Sequence, residues 1–275
     1  MTDLNTARPE SLSVGIVIYH PDLARLEACL RCLAKAVARL GAVATEVTLI
    51  DNGPAQADAS LEALWNGLQV SDLPYRLRRL GGQGNVGYGR GNNRVIEAAR
   101  TTWHLVLNPD AELAEDALER GLMHLRMQPA TVMVAAWTLG PDGLPQSLVK
   151  RYPSLWVLAL RGLGLGQQSR RARAYTVQAS EAIVTDVTGC MVSGSFMLCR
   201  TQSLQQVGGF DPGYFLYFED FDLSLRLAEE GRIVWARDVR VMHHGGGAAR
   251  KGWRHVLMFV RSAARFFSCH GWRLW

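Results

Sequence analysis

Apolar residues in the first 110 positions follow two alternating patterns. Short β-branched runs such as SVGIVIY and WHLVL end at turn residues, which predicts buried strands. Between these runs, leucine and valine recur every three or four residues, which predicts amphipathic helices. The predicted strands cover 13–19, 46–50, 75–80 and 103–107, and the predicted helices cover 23–40, 61–68 and 92–99. This alternation predicts the α/β class, with a mostly parallel sheet and helices on both faces.

The rest of the chain continues the alternation with one interruption. Residues 140–180 contain three prolines and an arginine cluster, so we expect an irregular, mobile segment that faces the substrate. The predicted strands of this half cover 131–137, 192–199 and part of 232–243, and the predicted helices cover 114–127, 201–207 and 220–230.

Polar and glycine-rich segments lie where the predicted strands end. Asp51 follows the second strand, the glycine-rich turn at 81–91 follows the third, and Asp110 follows the fourth. Ligands of parallel α/β sheets bind outside the carboxyl ends of the strands. We therefore expect these three regions to converge on one crevice.

Composition is that of an ordinary globular protein of 275 residues, with 48% hydrophobic and 20% charged residues. The net charge of +5 is concentrated after Asp238, where seven Lys and Arg residues occur without any Asp or Glu. Nucleic-acid binding needs a basic face on the folded domain, so this distribution argues against it. The sequence shows neither a secretory signal nor a membrane-spanning run, so we expect a cytoplasmic protein.

Five cysteines include Cys29 and Cys32, which form a C-x-x-C pair. An odd count without a signal sequence does not suggest a disulfide framework. The sequence has no second Cys or His pair at zinc spacing, and Cys29 and Cys32 lie inside a predicted helix. We interpret both as small helix residues rather than as a zinc or redox site.

Two segments have features typical of nucleotide sites. A carboxylate at Asp51 can accept the ring N–H of a pyrimidine base, although aspartate is also common in turns. Residues 82–93, GQGNVGYGRGNN, contain glycines that allow backbone to approach a nucleotide closely; the alternative is a flexible surface loop. The segment lacks the G-K-[ST] ending of a Walker loop, and it does not follow the first strand as a dinucleotide fingerprint would.

Two further segments suit a divalent cation. Asp110 ends the turn Asn108-Pro109-Asp110 on the predicted sheet rim, where a carboxylate can hold Mg²⁺ or Mn²⁺ against a diphosphate; a plain β-turn is equally consistent. His243 precedes a run of glycines at the end of the last strand. That position makes it a candidate metal or phosphate ligand, with a structural histidine as the alternative.

The most unusual segment is YFLYFEDFD at 214–222, where three carboxylates lie among five aromatic residues. Asp222 and Arg226 are four positions apart and can pair on one helix face. Pairing of this kind does not account for Glu219 and Asp220. Apolar surroundings can raise the pKa of such a carboxylate toward that of a useful general base.

Taken in order, these segments resemble the family-2 glycosyltransferases of the GT-A fold, and most closely their bacterial rhamnosyltransferase-like branch. The resemblance covers 13–247 and rests on the strings IVIYHP, LIDNG, GNVGYGRGNN, LVLNPDAEL, GSFMLCR, GGFDPGYFLYFEDFDLSLRL and HHGGG. We accordingly divide the chain into a flexible N-terminus over 1–12, a GT-A catalytic domain over 13–247 and a basic amphipathic C-terminal helix over 248–275.

The resemblance implies the catalytic and substrate-binding residues. Asp220 is expected to be the catalytic base, with Glu219 beside it as the second catalytic carboxylate. Asp51 is expected to read the nucleobase. The remaining substrate-binding positions are Asn85, Gly87, Gly89, Asn92, Asn93 and Asn108.

The resemblance also implies a metal site, with Mg²⁺ or Mn²⁺ held by Asp110 and His243. Asn108 stands where the family's D-x-D-like element often has its first carboxylate, so binding is expected to lean more on His243. The family usually has a serine shortly after the glycines, and this chain has Ala248 and Ala249 instead. A hydroxyl contact from this loop to phosphate is therefore not expected.

The implied activity is transfer of a sugar from a nucleotide-sugar donor, with dTDP-L-rhamnose as the expected donor, and with inversion at the anomeric carbon. The expected acceptor is a hydroxyl of a cell-surface glycan or a lipid-linked saccharide. A sugar-1-phosphate nucleotidyltransferase is one alternative, but it would carry a glycine-rich basic signature where Tyr19-His20-Pro21-Asp22 stands. A non-catalytic nucleotide-sugar-binding protein is the other, and the intact Glu219-Asp220 pair argues against it.

The C-terminal tail has apolar residues at helical spacing, arginines on another face, and two terminal tryptophans. The apolar positions are Trp253, Val256, Leu257, Val260, Ala264 and Phe267, and the basic ones are Arg254, Arg261 and Arg265. This pattern is typical of a helix that lies in the plane of a membrane, so the inner membrane surface is an expected partner. The alternative is that the apolar face packs on the catalytic domain.

Overall fold

The computed structural model describes residues 9–54, 58–146, 148–165, 169–178, 182–245 and 252–275. Strands and helices alternate through its first half, as the hydrophobic pattern predicts. The strands are β1 (Ser11–Ile18), β2 (Ala44–Asp51), β3 (Arg76–Leu80), β4 (Trp103–Leu107) and β5 (Ala111–Leu113). The helices are α1 (Leu23–Ala38), α2 (Ala59–Gln69), α3 (Tyr88–Ala98) and α4 (Ala117–Met127).

The second half adds more strands to the same sheet. Its strands are β6 (Thr131–Leu139), β7 (Pro145–Gln146), β8 (Val149–Lys150), β9 (Val184–Asp186), β10 (Met191–Val192), β11 (Phe196–Arg200) and β12 (Arg232–His243). Its helices are α5 (Leu155–Gly162), α6 (Arg170–Ala174), α7 (Thr201–Gln206), α8 (Glu219–Glu230) and α9 (Gly252–His270).

Several local predictions are corrected by these bounds. Residues 140–180 were expected to be irregular, yet β7, β8, α5 and α6 lie there, because the segment pairs with β6 and β10 and packs on the C-terminus. The strand expected over 192–199 is interrupted at 193–195. The glycine-rich turn ends at Gly87, since α3 already begins at Tyr88.

The main sheet has the order β3-β2-β1-β4-β11-β6-β12-β5. The strands from β3 to β4 run parallel, and β12 runs parallel to β6, whereas β11 is antiparallel to both of its neighbours. Val14 in the centre of β1 is aligned with Val47 of β2 and Leu105 of β4. The predicted mostly parallel sheet is confirmed, with the strand ends of β1, β2 and β4 on one edge.

Apolar side chains fill both faces of the sheet, so helices cover it from both sides. On one face, α1 and α4 pack their leucines against β1, β4 and β12. On the other, α3, α7 and α8 pack against each other and against buried residues of β6, β11 and β12. Two buried layers on one sheet are the arrangement that α/β domains use to bury strands on both faces.

Helix α1 shows how the local sequence sets its own ends and its buried face. The Asp22 side chain accepts a hydrogen bond from the Arg25 N–H and caps the helix start. Cys29 is buried on the inner face, its Sγ lies 3.5 Å from the Asn108 carbonyl oxygen, and burial raises the pKa of its thiol. Cys32 is partly exposed on the same helix, and both cysteines are free, so their interpretation as helix residues is confirmed.

The C-terminal helix α9 packs on the domain along only part of its length. Its second half packs on the domain through Ser262, Ala263, Phe266 and Phe267, and Phe267 therefore does not lie on a membrane-facing side. Its first half exposes its apolar residues, beginning with Trp253 at 71%. Within the described ranges, no helix is both long and apolar enough to cross a bilayer.

Candidate functional site

Asp51 is the last residue of β2, and its carboxylate is held from two sides. Oδ1 accepts the Gly53 N–H at 2.8 Å, a turn that the short aspartate side chain forms with its own backbone. Oδ2 accepts from Arg79 of β3 at 2.7 Å, and Arg79 also donates to Glu62 of α2 at 2.5 Å. The carboxylate is thereby fixed at the sheet edge, with 12% of its side chain exposed.

The glycine-rich turn joins this sheet edge to the segment that precedes α8. Asn52 Nδ2 donates to the Gly87 carbonyl oxygen at 3.0 Å, and the Gly87 N–H donates to Asn85 Oδ1 at 3.2 Å. Gly87 has φ +93°, and a Cβ there would collide with the Phe215 carbonyl group. A glycine is required at this position because the two backbones touch, which favours a built backbone shape over a flexible loop.

Further along the same segment, the helix residues have structural partners. Both groups of the Asn93 amide bond the backbone of Phe210, at 2.7 Å and 2.8 Å. A Cβ at Gly89 would lie 2.8 Å from the Phe210 Cβ. Asn92 is fully buried against Gly15, and its Nδ2 donates to the Tyr88 carbonyl oxygen at 3.3 Å. These contacts give Gly89, Asn92 and Asn93 a structural role. A direct contact between a substrate and any of the three stays a prediction.

The two expected metal ligands lie side by side at the rim of the sheet. His243 Nε2 is 3.3 Å from Asp110 Oδ1 and also 3.3 Å from Asn108 Nδ2. On the other side of the ring, Nδ1 lies 3.3 Å from Gln146 Oε1, and Gln146 Nε2 donates to the His243 carbonyl oxygen at 3.1 Å. Burial disfavours ionisation of Asp110, but the hydrogen bond and charge of His243 outweigh it and lower the pKa of Asp110.

This donor set fits a divalent cation. When a metal is bound, a proton on Nδ1 can be shared with Gln146 Oε1, which leaves the Nε2 lone pair for the cation. Neighbouring ligands of an octahedral Mg²⁺ lie about 3 Å apart, close to the 3.3 Å between His243 Nε2 and Asp110 Oδ1. Among the described residues, no third His, Cys, Asp or Glu completes a cluster, so phosphate oxygens and water would supply the remaining ligands.

Asp220 lies in the first turn of α8, where the helix dipole favours a negative charge. Its Oδ2 accepts the Gly194 N–H and its Oδ1 the Phe221 N–H, both at 2.9 Å. The side chain keeps partial solvent access, yet the surrounding protein desolvates it and raises the pKa of Asp220. A carboxylate with a raised pKa and two fixed oxygens is suited to accept a proton.

Glu219 differs from its neighbour. It is 5% exposed, and within the described part of the chain its Oε2 has no hydrogen-bond partner. Burial, and then the nearby charge of Asp220, raise the pKa of Glu219 more strongly than that of Asp220. Glu219 therefore holds its proton to higher pH, and Asp220 is the member of the pair that ionises first.

The turn before α8 is strained, and α9 holds it. Tyr217 and Phe218 have φ +71° and +65°, a left-handed conformation that bulky residues rarely adopt. Ser262 Oγ donates to the Leu216 carbonyl oxygen at 2.7 Å, and the Tyr217 hydroxyl lies 2.9 Å from His255 Nδ1. The aromatic residues of the 214–222 segment thus serve mainly to seat this turn on α9.

The contacts of Asp222 confirm the predicted pair with Arg226 and add a second partner. Arg226 donates twice to Oδ2, at 2.6 Å and 2.9 Å, as the spacing of four predicted. His270 Nε2 of α9 lies 2.8 Å from the other oxygen, Oδ1. The Asp222 side chain is only 3% exposed, so two partners compensate its buried charge and link α8 to the end of α9.

One residue that the sequence analysis did not single out connects these parts. The Tyr88 hydroxyl donates to the Gly194 carbonyl oxygen at 2.7 Å, and the Tyr88 N–H donates to the Phe215 carbonyl oxygen at 3.2 Å. Burial raises the pKa of Tyr88, and the charges of Asp220, Glu219 and Asp110 act in the same direction. The ring therefore lies beside Gly194, the residue whose N–H also holds Asp220.

Hydrogen bonds consequently join the predicted regions into one site. The loop at 193–195 contacts both sides, because the Gly194 N–H holds Asp220 while the Asn108 N–H donates to the Ser195 carbonyl oxygen at 3.0 Å. Arg79, Tyr88, Gln146 and Gly194 were not predicted as site residues. Tyr88 and Gly194 had a local signal, since they lie in the strings GNVGYGRGNN and GSFMLCR, whereas Arg79 and Gln146 had none.

Comparison with known proteins adds the family. The model of the family described as "Glycosyltransferase like family 2" matches residues 14–256. The N-acetylglucosaminyl-diphospho-decaprenol L-rhamnosyltransferase of Mycobacterium tuberculosis is 30% identical over 251 residues, which cover 85% of this chain and 76% of that protein. The rhamnosyltransferase WbbL of Escherichia coli K12 is 28% identical over 172 residues, or 58% of this chain and 62% of WbbL.

Solved structures agree on the fold. GalNAc-T7 with UDP, GalNAc and Mn²⁺ has a TM-score of 0.67 at 14% identity; the match covers 95% of this chain, which spans about half (48%) of that protein. The mannosyltransferase PcManGT from Pyrobaculum calidifontis with GDP-Man and Mn²⁺ has a TM-score of 0.60 at 17% identity, over 94% and 65% of the two chains. The fold is GT-A, and the chain belongs to glycosyltransferase family 2, among relatives that are rhamnosyltransferases.

Proposed function

We propose that this glycosyltransferase transfers L-rhamnose from dTDP-L-rhamnose to a hydroxyl of a lipid-linked saccharide, with inversion of the anomeric configuration. The family match and the rhamnosyltransferase relatives support the sugar. One relative is named for an acceptor built on decaprenol diphosphate, which supports a lipid-linked acceptor and work at the inner face of the cytoplasmic membrane. The product would enter a cell-surface polysaccharide.

The observation that carries the proposal is the position of Asp220. Backbone N–H groups fix both of its oxygens, and its pKa is raised. The loop at 193–195 connects it to Asn108, whose side chain lies beside His243. A proton acceptor and a phosphate-binding edge are thus parts of one hydrogen-bonded frame, as a displacement reaction requires.

The residues define the steps of the reaction. Asp220 accepts the proton of the acceptor hydroxyl, and that oxygen attacks the anomeric carbon from the side opposite the leaving diphosphate. One displacement inverts the configuration and needs no covalent enzyme nucleophile. Asp51 orients the donor by accepting the ring N–H of its base. A Mg²⁺ or Mn²⁺ ion, held by Asp110 and His243, would offset the charge that develops on the diphosphate.

A donor panel tests the sugar and the base. dTDP-L-rhamnose, UDP-sugars and GDP-sugars are offered with Mg²⁺ or Mn²⁺, and release of the nucleoside diphosphate is measured. We expect the fastest release from dTDP-L-rhamnose. Clear preference for a UDP- or GDP-sugar would overturn the donor assignment, and turnover that required a nucleoside triphosphate would favour the nucleotidyltransferase alternative.

A second experiment tests the acceptor and the stereochemistry. A polyprenyl-diphosphate-linked N-acetylglucosamine is offered beside the free sugar, and the anomeric configuration of the product is read by NMR. We expect transfer to the lipid-linked acceptor and a product of inverted configuration relative to the donor. Retention of configuration would contradict the single displacement by way of Asp220.

A further inference from the structure

Exposed apolar side chains are frequent along α9 and the residues that follow it. Trp253, Val256 and Val260 follow one another along the first half of α9 and are 71%, 63% and 56% exposed. The terminal Trp275 is 75% exposed. A soluble monomer rarely leaves so many large apolar side chains in one region without a partner for them.

A second segment, remote in sequence, extends this region. The Leu155 N–H donates to the Arg273 carbonyl oxygen at 2.9 Å, and the Trp156 N–H donates to the Leu274 carbonyl oxygen at 3.3 Å. The rings of Trp156 and Trp275 lie 6.1 Å apart. Helix α5 is therefore bonded to the residues that follow α9, and it packs in the same buried cluster as the second half of α9.

The two parts of the chain that contain α5 and α9 have basic residues but no acidic ones. Residues 143–180 and 239–275 contain no Asp or Glu, although the whole chain has 25 of them. The two segments hold thirteen of the 30 Lys and Arg residues, namely Lys150, Arg151, Arg161, Arg170, Arg171, Arg173, Arg240, Arg250, Lys251, Arg254, Arg261, Arg265 and Arg273. These are the two longest stretches of the chain without an acidic residue, and the bonds between α5 and residues 273–274 join described parts of both.

We propose that α9, α5 and the C-terminal residues 271–275 form a docking surface for an anionic lipid bilayer. Tryptophan is favoured at the membrane interface, and basic residues are attracted by anionic headgroups. A second copy of the chain fits this surface poorly, because a two-fold contact would place two patches of the same positive charge against each other. The single sign of the charge therefore selects lipid over self-association.

The same helix connects this surface to the active site. Below its exposed residues, α9 holds the strained turn before α8 through Ser262 and buries Phe266 against Phe218. Docking would therefore hold the turn before α8 at a fixed distance from the bilayer surface. This consequence rests on the proposed lipid-linked acceptor, whereas the docking itself does not depend on it.

The test uses full-length variants, since deletion of α9 would remove Phe266 and Phe267 from the core. The apolar variant combines Trp253→Ser, Val256→Ser and Val260→Ser, and the charge variant combines Arg254→Gln and Arg261→Gln. The matched control combines Val70→Ser and Met127→Ser, which are 87% and 73% exposed but lie at the ends of α2 and α4. Binding is measured by co-sedimentation with phosphatidylglycerol/phosphatidylethanolamine vesicles and with pure phosphatidylcholine vesicles.

We expect the wild type and the control to bind the anionic vesicles and to bind phosphatidylcholine far more weakly. The charge variant should lose about 25-fold, since each basic residue contributes about five-fold, and the apolar variant about tenfold or more. Donor hydrolysis without vesicles should be unchanged in all variants, which keeps a failure of docking separate from a failure of the proposed transfer. Equal sedimentation of the apolar variant and the control, or a wild-type dimer that the apolar variant abolishes, would overturn the proposal.

Discussion

Two carboxylates of the candidate active site are held in place by different parts of the chain. Asp51, at the end of β2, depends on its own turn and on the adjacent strand, through Gly53 and Arg79. The turn that precedes Asp220 depends on a helix about 40 residues further along the chain, which bonds the Leu216 carbonyl oxygen and the Tyr217 hydroxyl. Asp51, on the proposed donor side, is thus held by neighbouring elements, whereas the turn before Asp220, on the proposed acceptor side, is held by remote contacts.

This difference predicts how substitutions on the donor side and on the acceptor side should affect the protein. A pair of parallel strands and a short turn fix Asp51, so a substitution there should alter donor binding with little effect on the rest of the fold. The acceptor side contains strained backbone at Tyr217 and Phe218, and such backbone persists only where surrounding contacts enforce it. Loss of a contact with α9 should therefore affect both stability and transfer.

The largest effect is expected for Asp220→Asn. The substitution keeps the size of the side chain but removes the proton acceptor, so turnover should fall by about 10²–10⁴-fold. Affinity for the nucleotide-sugar should stay almost unchanged, because the substitution keeps the size of the side chain and leaves the residues expected to bind the donor intact. Transfer kinetics and calorimetric donor binding measure the two quantities. Near-normal turnover in this variant would refute the assignment and make Glu219 the next candidate.

The next largest effect is expected for Asp110→Ala on the donor side. Loss of the carboxylate should abolish the metal-dependent part of nucleoside-diphosphate binding, about 10–100-fold, as measured by calorimetry with Mg²⁺ or Mn²⁺ and with chelator. His243→Ala should weaken the same component, and His244→Ala is the matched control because His244 pairs with Glu112 instead. Wild-type affinity that is equal with and without excess chelator would contradict a metal role.

A smaller effect tests the remote support of the acceptor side. His270→Ala leaves one oxygen of buried Asp222 without its partner, which should cost about 1–3 kcal/mol of unfolding free energy. The thermal midpoint should fall by about 2–4 °C for each kcal/mol. His124→Ala is the control, since it breaks a similar pair with Asp238, whose side chain is 20% rather than 3% exposed. Equal losses in both variants would show that α9 gives no special support.

The smallest effect concerns Glu219→Gln and depends on pH. Burial raises the folded-state pKa of Glu219 above its unfolded value of about 4.3. Between these two pKa values the folded state binds the extra proton, so the wild type loses stability as pH rises. The Gln side chain does not titrate, so the variant should not lose stability in this way and should be more stable than the wild type at pH 8. At pH 5 the difference in stability between the two proteins should be smaller. Thermal unfolding at both pH values measures this, and a difference that is independent of pH would contradict it.

Local sequence was sufficient wherever a contact lies within one strand, one turn or one helix. The β-branched runs predicted β1, β2 and β4, because strands that are buried on both faces consist of consecutive apolar residues. The spacing of four predicted the bond between Asp222 and Arg226, because residues four apart lie on one helix face. The order of the motifs identified the family, which the family match over 14–256 confirmed.

Only the tertiary structure decided the contacts between distant segments. No periodicity relates Asp222 to His270, or Tyr88 to Gly194, because these pairs are 48 and 106 residues apart. Local propensity also argues against left-handed backbone at Tyr217 and Phe218, which α9 enforces from outside the segment. The sequence by itself thus determined the strands, the turns and the types of residue in the site. The packing of α8, α9 and the loop at 193–195 determined which of those residues meet, since burial and hydrogen bonding across the fold outweigh local preference.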